Sequence, residues 1–407
     1  AVSVPTADSH IKMELWMPAK GWTGRYHQNA PGGGGGLIQY DRLIQRLYAG
    51  DAIATTDTGH VGLGGYDWLR HPEQIIDFGY RAHKETSDIG KALVEQYYGR
   101  KHDYAYISGC SRGGHSALIS ARRYPEDWDG VIAGATSLNI PKYLNYRSWR
   151  GLMQYRNPEG RISSAKLPAI QRAARAACTA DAHMVNGVPA DPRFCRYDPK
   201  VLLCKGGETD ECLTAAQVDL LRNLYIGPID PVTGKYNFKL PPTMEAANKM
   251  TEDRKALRQA WDQLTTVPEG ETRQKTVTQL DVNEATWATQ DGAAGFEEFY
   301  QTLVFNDKQW SLDQVKLTDL WSLTEGSMVA GESLEDILDA SIAWKNFSKT
   351  NTKILMYHGW ADEVAVPEMG VDHYNEAVSQ VGGDEETQKF LRLFMVPGML
   401  HCGDGPG

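Results

Sequence analysis

The first 145 residues alternate between short apolar runs and longer amphipathic stretches. Runs such as 10–17 and 52–56 predict strands, because their apolar side chains alternate or are nearly continuous over a short distance. The stretch 78–98 predicts a helix, because apolar side chains recur there at helical spacing. Strands that alternate with helices are typical of a parallel sheet covered on both faces. The predicted elements are strands 10–17, 25–29, 52–56, 104–107 and 131–133 and helices 37–47, 78–98 and 112–123.

This rhythm stops near residue 145 and returns near residue 345. The region between carries long polar loops and a cluster of cysteines, and its apolar spacing predicts only short helices, at 167–177, 215–225 and 250–264. Strands return at 353–357 and 390–396. We therefore predict an α/β fold in which residues 1–145 and 345–407 form one sheet domain. Residues 146–344 form a second domain inserted into it, of ordinary domain size.

Charge and hydropathy exclude two classes of function. The net charge of −10 argues against a nucleic-acid partner, which would require clustered Lys and Arg. The chain contains no apolar stretch long enough to span a bilayer, so no membrane anchor is expected within it. It also begins without an apolar leader, and we therefore expect a mature or trimmed form.

Six cysteines are present, at positions 110, 178, 195, 204, 212 and 402. An even number with four members close together predicts three disulfides and an oxidising compartment, hence a secreted or periplasmic protein. A metal site is the alternative interpretation of the cluster. It is disfavoured because the chain lacks a CxxC pair and the spacings do not resemble those of zinc sites.

The motif G-x-S-x-G occurs at residues 109–113, between a predicted strand and a predicted helix. This context is the one in which the motif forms a nucleophile elbow, so we predict Ser111 as a catalytic nucleophile. The elbow turns so tightly that side chains at the flanking glycines would clash with neighbouring backbone. The turn also aims the first N–H groups of the helix at the developing oxyanion.

A serine nucleophile needs a base and an acidic residue that orients the base. In α/β-hydrolases the order along the chain is Ser, then Asp or Glu, then His, each after a strand. Asp362 and His401 fit this order, because they follow the predicted strands 353–357 and 390–396.

Neighbouring residues could also fill either role. Glu363 and Asp372 are alternatives for the acid, and His358 and His373 are alternatives for the base. Both of these histidines precede the last strand, so the topology disfavours them.

Cysteines flank two of the selected residues. Cys110 precedes Ser111 and Cys402 follows His401, so a Ser–His contact would bring the two sulfurs close enough to bond. We therefore predict the disulfide Cys110–Cys402, which would fix the base against the nucleophile.

An oxyanion hole requires two N–H donors. We predict the backbone of Arg112 as the first donor. Gly33, in the glycine run 32–36, is predicted as the second; a flexible linker is the alternative interpretation of that run.

These residues resemble the tannase and feruloyl esterase family, which includes bacterial mono(2-hydroxyethyl) terephthalate hydrolases. The hallmark of that family is a Cys-Ser, Asp, His-Cys arrangement, matched here by Cys110-Ser111, Asp362 and His401-Cys402. Further similar stretches are 9–11, 56–60, 71–81, 123–130 and 358–362. The likeness spans nearly all of the sheet domain. The family usually continues beyond the last cysteine into a further helix, so a trimmed C-terminus is expected here.

The resemblance implies that residues 146–344 are a lid domain with the disulfides Cys178–Cys195 and Cys204–Cys212. Lids of this family usually bind calcium on an acidic loop between the first two of these cysteines. Two of the acidic positions fall on Thr179 and Ala182, and Asp181 is displaced by one residue. Calcium prefers six to eight oxygen ligands, so we predict neither a tightly bound calcium nor any other cofactor.

The function implied by the resemblance is hydrolysis of an ester of an aromatic carboxylic acid, of the feruloyl, galloyl or terephthalate monoester type. A non-catalytic binding protein on a hydrolase scaffold is one alternative, and the intact Ser, Asp and His argue against it. A serine hydrolase that acts on a lactone or an amide is a second, because the same triad serves all acyl transfers.

Overall fold

The computed structural model of the chain describes residues 1–62, 67–181, 183–194, 197–226, 297, 299–316, 319–362 and 364–403. Its main feature is an eight-stranded sheet. The strands of the sheet are β1 Val2–Ser3, β2 Ile11–Trp16, β3 Arg25–Asn29, β4 Ala52–Thr56, β5 Tyr104–Cys110, β6 Gly130–Gly134, β11 Lys353–Gly359 and β12 Leu391–Val396. They lie in the order β1-β2-β4-β3-β5-β6-β11-β12. Two hairpins are formed by β7 Met184–Val185 with β8 Val188–Pro189 and by β9 Met328–Val329 with β10 Glu332–Ser333.

The centre of the sheet is parallel. β3 pairs with β4 and β5, β5 pairs with β6, and β6 pairs with β11, all in the same direction. β1 and β2 are antiparallel, because β1 turns back on β2 and β2 runs opposite to β4. The α/β fold and its sheet are therefore confirmed, except that one edge is not parallel.

Helices connect successive parallel strands along the chain. Within the described residues, the α-helices are α1 Tyr40–Tyr48, α2 Pro72–Ile76, α3 Ala82–Tyr98, α4 Arg112–Arg123, α5 Ile140–Tyr155, α6 Leu167–Asp181, α7 Ala215–Ile226, α8 Leu334–Leu338, α9 Trp344–Phe347, α10 Pro367–Val381 and α11 Asp384–Thr387. In the same part of the chain, π-helical turns occupy Asp77–Arg81 and Tyr300–Val304. Short 3-10 turns occupy Asp67–Arg70, Pro125–Asp127, Pro158–Gly160, Ser164–Lys166, Pro192–Phe194, Pro199–Leu202, Leu312–Gln314 and Leu320–Ser322.

The chain divides into two compact units. The first comprises Ala1–Pro141, Thr324–Tyr357 and Met369–Phe394, and the second comprises Lys142–Leu323, His358–Glu368 and Met395–Gly407. The second unit has its own apolar core, formed by Ile170, Ala174, Tyr197, Leu213, Val218 and Leu221. The boundaries drawn from the sequence, 146 and 344, stay a prediction, and the predicted helix 250–264 lies outside the described residues.

Burial explains why the central strands form where they do. All five residues of β4 are buried, as expected for an apolar strand with a neighbour on each side. In β3 the buried residues are mainly polar and need partners. Gln28 donates to the carbonyl of His83 (3.0 Å), and His27 Nε2 lies 2.7 Å from Ser108 Oγ. Burial and the nearby charge of Arg46 lower the pKa of His27 to about 3, so the ring is neutral.

Helix α3 packs against the sheet at Gly90. A Cβ at this position would lie 2.6 Å from the hydroxyl oxygen of Tyr26 and 2.9 Å from the ring. Tyr26 is fully buried, and the single proton of its hydroxyl is shared between two acceptors, Gln28 Oε1 (3.0 Å) and the Thr86 carbonyl oxygen (3.1 Å). The ring is therefore held in place, and only glycine allows the helix to approach it.

Gly90→Ala is expected to destabilise the protein by about 2 kcal/mol, because overpacking of a close contact outweighs the gain in helix propensity. The measurement is the free energy of unfolding in urea. Adding Tyr26→Phe, which removes the nearest atom, is expected to recover part of the loss.

Gly206→Ala is the matched control, because a Cβ there meets no atom within 4 Å. It is expected to leave stability nearly unchanged. A Gly90→Ala protein as stable as the wild type would contradict the packing argument.

Candidate active site

Ser111 lies on a sharp turn between β5 and α4. Its backbone angles are φ 61° and ψ −127°, a region that non-glycine residues rarely adopt. The Ser111 N–H donates to the carbonyl of Gly134 at the end of β6 (2.9 Å), which ties the turn to the neighbouring strand. The residue is half-buried, so the turn presents it at the carboxyl end of the parallel strands.

Three glycines make this turn possible. A Cβ at Gly109 would lie 2.4 Å from the carbonyl carbon of Gly113, and one at Gly113 would lie 2.2 Å from the Ala30 carbonyl oxygen. A Cβ at Gly114 would lie 2.5 Å from the Gly134 carbonyl oxygen. Since these contacts are to backbone, they leave no room for a side chain. The geometry is that of a nucleophile elbow.

The glycine run lies beside the elbow. A Cβ at Gly32 would lie 3.2 Å from the Cys110 carbonyl oxygen and 4.0 Å from Ser111 Cβ. Residues 32–35 form a turn closed by a bond from the Gly35 N–H to the Gly32 carbonyl (3.2 Å), with Gly33 at φ 62°. Gly33 is exposed at the tip of this turn.

The same loop is fixed at its far end. The Gly36 N–H donates to the Asp57 carbonyl (2.8 Å), and the Gly62 N–H donates to the Gly36 carbonyl (3.1 Å). At Gly35 a Cβ would lie 2.1 Å from Thr58 Oγ1, so this position too requires glycine. These bonds argue against the linker interpretation, because a flexible linker would have no fixed partners.

Arg112 opens helix α4 and is buried. Its guanidinium donates to the Phe78 carbonyl (2.5 Å) and to Ser116 Oγ, lies 2.8 Å from His115 Nδ1, and packs 4.1 Å from the Phe78 ring centroid. Burial lowers its pKa to about 9, and the side chain stays charged at neutral pH. The side chain therefore anchors the start of α4. The backbone N–H of Arg112 is among the first N–H groups of the helix, which have no partner inside the helix.

Asp362 and His401 are paired. His401 Nδ1 lies 2.9 Å from both carboxylate oxygens of Asp362. Oδ1 also accepts bonds from the N–H groups of Val364 and Ala365, both at 2.8 Å. Because a carboxylate only accepts, Nδ1 of His401 carries the proton and Nε2 is the basic nitrogen of the neutral ring.

Asp362 is an anion under all ordinary conditions. Burial alone would raise the pKa of its carboxyl, but the imidazoles of His358 and His401 outweigh burial and lower it to about 2. The carboxylate side chain is fully buried, whereas His401 is partly exposed. The buried Asp362 carboxylate therefore orients the partly exposed His401 ring, whose Nε2 can act as a base.

His358 also contacts Asp362, which the sequence did not predict. Its Nε2 lies 2.9 Å from Oδ2, although the N–H is not aligned as a regular hydrogen bond. From the sequence His358 is only a disfavoured candidate for the base. A histidine four positions before an acidic residue is a weak signal, since it indicates a shared face only in a helix and these residues lie at a strand end and in a loop.

Of the remaining candidates for the acid and the base, two belong to helix α10. His373 packs against Trp344, with ring centroids 4.6 Å apart, and lies 3.6 Å from Glu376 Oε2. Asp372 is its neighbour on helix α10. Glu363 lies outside the described residues.

Ser111, Arg112 and Gly33 belong to the first unit. Ser111 and Arg112 are consecutive, and Gly33 follows Gly32, which lies next to Ser111. The structure places Asp362, His401 and His358 in the second unit and brings these three together.

The five cysteines that the structure describes are oxidised. Cys204 and Cys212 form a disulfide, with Cα atoms 5.0 Å apart. Cys110, Cys178 and Cys402 are each part of a disulfide as well, and Cys195 lies outside the described residues. The pairings Cys110–Cys402 and Cys178–Cys195 stay predictions.

The lid loop expected to have lost its calcium site begins at the end of α6. Thr179 and Asp181 belong to this helix, and Ala182 lies outside the described residues. Within the described ranges, no group of three or more His, Cys, Asp or Glu side chains is placed to hold a metal ion. The absence of calcium stays a prediction. In the same part of the chain, every helix is too short or too polar to cross a membrane.

Comparison with known proteins places the chain in a family. The sequence profile described as tannase and feruloyl esterase matches residues 2–407. An uncharacterized esterase of Xanthomonas campestris is 37% identical over an alignment that covers 100% of this chain and 69% of the relative. A probable feruloyl esterase B-1 of Aspergillus fumigatus is 27% identical, with 100% of this chain and 70% of the relative covered.

Solved structures agree. An esterase from Aspergillus oryzae superimposes with a TM-score of 0.77 at 25% identity and covers 99% of this chain and 72% of that one. Tannin acyl hydrolase from Aspergillus niger has a TM-score of 0.73 at 21% identity, over 98% of this chain and 72% of that one, which supports the fold. The chain therefore belongs to the tannase and feruloyl esterase family and is a carboxylic ester hydrolase.

Proposed function

We propose that this enzyme hydrolyses esters of aromatic carboxylic acids through an acyl-enzyme formed on Ser111, with His401 as the base and Asp362 as the residue that orients it. The observation that carries the proposal is the His401–Asp362 pair. Nδ1 lies 2.9 Å from both carboxylate oxygens, which fixes the tautomer in which Nε2 can accept a proton. The elbow geometry at Ser111 supplies the corresponding nucleophile.

In the first half-reaction, Ser111 Oγ attacks the ester carbonyl carbon and its proton passes to His401 Nε2. The C–O bond to the alcohol then breaks, and the alcohol leaves with that proton. In the second half-reaction water attacks the acyl-serine and gives a proton to His401. The aromatic acid is released, and Ser111 regains its hydroxyl proton.

Two backbone N–H groups, those of Arg112 and Gly33, are proposed to hold the oxyanion in both halves. The first opens a helix, where N–H groups have no partner inside the helix and the dipole favours negative charge. The second lies at the exposed tip of a turn whose first residue, Gly32, sits against Ser111. Donors of this kind contribute about 100- to 1,000-fold to the rate.

An aromatic acyl group is proposed from the family and from the relatives named feruloyl esterase. Hydroxycinnamate, gallate and terephthalate monoesters all fit this class. Tyr300, one of several aromatic residues in the inserted segment, is fully buried, and its hydroxyl donates to Asn145 Oδ1 (2.6 Å). It is a core residue, so ring recognition must come from different side chains.

Export to an oxidising compartment, outside the cell or in the periplasm, is also proposed. Its support is the oxidised state of the five described cysteines, since structural disulfides persist mainly in such compartments.

Ser111→Ala is expected to lower kcat/KM by at least about 1,000-fold, because it removes the nucleophile that defines the acyl-enzyme route. The assay is a panel of methyl ferulate, methyl gallate and mono(2-hydroxyethyl) terephthalate, together with labelling by an aryl phosphonate located by mass spectrometry. The label is expected on Ser111 and at least one panel ester is expected to be hydrolysed.

Exposed Ser348 provides the control, and Ser348→Ala should keep wild-type activity. Undiminished activity of Ser111→Ala would reject the nucleophile. Activity on aliphatic esters alone would reject the proposed substrate class.

Asp362→Asn is expected to change how stability depends on pH. The carboxyl pKa is about 2 in the folded protein and about 3.9 when unfolded. The folded-state pKa is lowered, so the stabilisation is present above the unfolded value and is lost as pH falls through the folded value. The stability advantage of the wild type over Asp362→Asn should therefore shrink by about 2 kcal/mol between pH 5 and pH 2.

Urea unfolding at a series of pH values measures this difference. Asp41→Asn is the control, because Asp41 is exposed, and its curve should run parallel to that of the wild type. A wild-type advantage that stays constant down to pH 2 would show that Asp362 is not a buried, low-pKa carboxylate.

The disulfide Cys110–Cys402 can be tested by digestion without reduction. The peptide that contains Cys110 is expected to be linked to the one that contains Cys402. Such a bond closes a loop of about 290 residues, and its loss in a Cys402→Ser variant is expected to cost about 5 kcal/mol in the chain-entropy picture. A Cys110 peptide linked to Cys178 or Cys195 instead would refute the pairing.

A further inference from the structure

The carboxylate of Asp362 is surrounded by donors, and its two oxygens differ in what holds them. Oδ1 accepts two backbone N–H groups, from Val364 and Ala365. Oδ2 instead lies 2.9 Å from Nε2 of His358. His401 Nδ1 faces both oxygens. Among the described residues, these two histidines are the titratable groups that act on Asp362.

His358 is suited to act as a donor here. At 2.9 Å from an ionised oxygen, Nε2 must carry the proton, because two acceptors at that distance would repel each other. The N–H does not point straight at Oδ2, so the contact is a short electrostatic one and not a regular hydrogen bond. The side chain is 2% exposed, so water does not compete for the carboxylate. His358 lies in β11, whereas His401 follows β12, so Asp362 is approached by imidazoles from two different elements.

The backbone around Asp362 is fixed by hydrogen bonds and close contacts, so only side chains there can move. The N–H of Trp360 donates to the Val396 carbonyl (2.9 Å), and that of Ala361 donates to the Met399 carbonyl (3.1 Å). A Cβ at Gly359 would lie 2.0 Å from the Met399 carbonyl oxygen, so the two loops are in direct backbone contact. With the loops locked, rotation of the carboxylate about Cβ–Cγ is the motion that would misalign His401.

We propose that His358 is a positioning residue, which limits rotation of the Asp362 carboxylate by holding Oδ2 and so keeps His401 in its working orientation. The inference rests on the proposed role of Asp362. It adds that the acid is held on both oxygens, by backbone N–H groups on Oδ1 and by the imidazole of His358 on Oδ2. His358 itself does not take part in proton transfer, because its Nε2 proton faces a carboxylate that stays ionised.

A matched pair of substitutions separates this role from simple packing. Methionine and glutamine are close in shape and size, but only glutamine offers an N–H at the position of His358 Nε2. His358→Met is expected to lower kcat by about 10- to 100-fold with KM nearly unchanged, because misalignment of a catalytic group affects the chemical step. His358→Gln is expected to restore most of the lost rate.

Asp362→Asn supplies the second arm of the experiment. In that background His358→Met should lower kcat no further, because the group that it positions is gone. Urea unfolding of each variant reports packing separately from the rate. If His358→Met is too unstable to purify, His358→Leu takes its place in the same comparison.

The outcomes are distinct. Equal kcat values for His358→Met and His358→Gln, or an equal fall in the Asp362→Asn background, would overturn the positioning role and leave the acid in place. A near-wild-type kcat for Asp362→Asn alone would instead overturn the proposed role of Asp362.

Discussion

The close approach of backbone segments around the turn at Ser111 is the constraint on which the first unit depends. The Ser111 conformation is strained, at a cost on the order of 1–3 kcal/mol, and it persists only because its surroundings fix it. Gly113 packs against the carbonyl of Ala30, and the Ala30 N–H donates to Ser108 in β5 (2.9 Å). Ala30 is also the residue from which the glycine loop departs. Ala30 therefore contacts the elbow and also begins the loop proposed to form the oxyanion hole. A side chain at Gly113 would displace Ala30 and so disturb both.

Charge is handled differently in the two units. In the second, the Asp362 anion is buried and surrounded by N–H donors, so its pKa falls despite burial. In the first, the Arg112 cation is buried among a carbonyl, a hydroxyl and a neutral ring, and burial lowers its pKa. Burial also lowers the pKa of His115 well below its usual value, with help from the charge of Arg112. Its Nε2 then donates to the Leu338 carbonyl (2.9 Å), and Nδ1 accepts from Arg112.

The sequence predicted strands and helices best where hydrophobic spacing and glycine punctuation coincide. The bounds of β3, β4 and α4 agree with the predicted ones, and α4 is bounded by the elbow glycines and by basic residues. The helix predicted at 78–98 instead begins with a π-helical turn, Asp77–Arg81, which hydrophobic spacing does not reveal. Helices α5 and α10 were not predicted, because their apolar positions are interrupted by charged and amide residues.

For the candidate site, the order of Ser111, Asp362 and His401 along the chain was enough to select the residues, and the pairing of Asp362 with His401 agrees with that selection. The contact of His358 with Asp362 could not be predicted. It depends on how the end of β11 meets the loop before His401, where Gly359 touches the Met399 carbonyl. Which residues of two such loops face each other is decided by tertiary packing, and this leaves no periodic pattern in the sequence.

Other residues of the second unit also contact the loop that carries Asp362. The hydroxyl of Tyr143, on α5, donates to the carbonyl of Val364 (2.9 Å), whose N–H in turn donates to Asp362. The guanidinium of Arg193 lies 5.0 Å from the centroid of the buried Trp360 ring and is paired with Asp191. The Tyr143 hydroxyl therefore holds a peptide group next to the carboxylate, and Arg193 packs on the ring two positions before Asp362. A change in the second unit that displaced Tyr143 or Arg193 would act on the orientation of Asp362 without touching the three residues proposed to carry the chemistry.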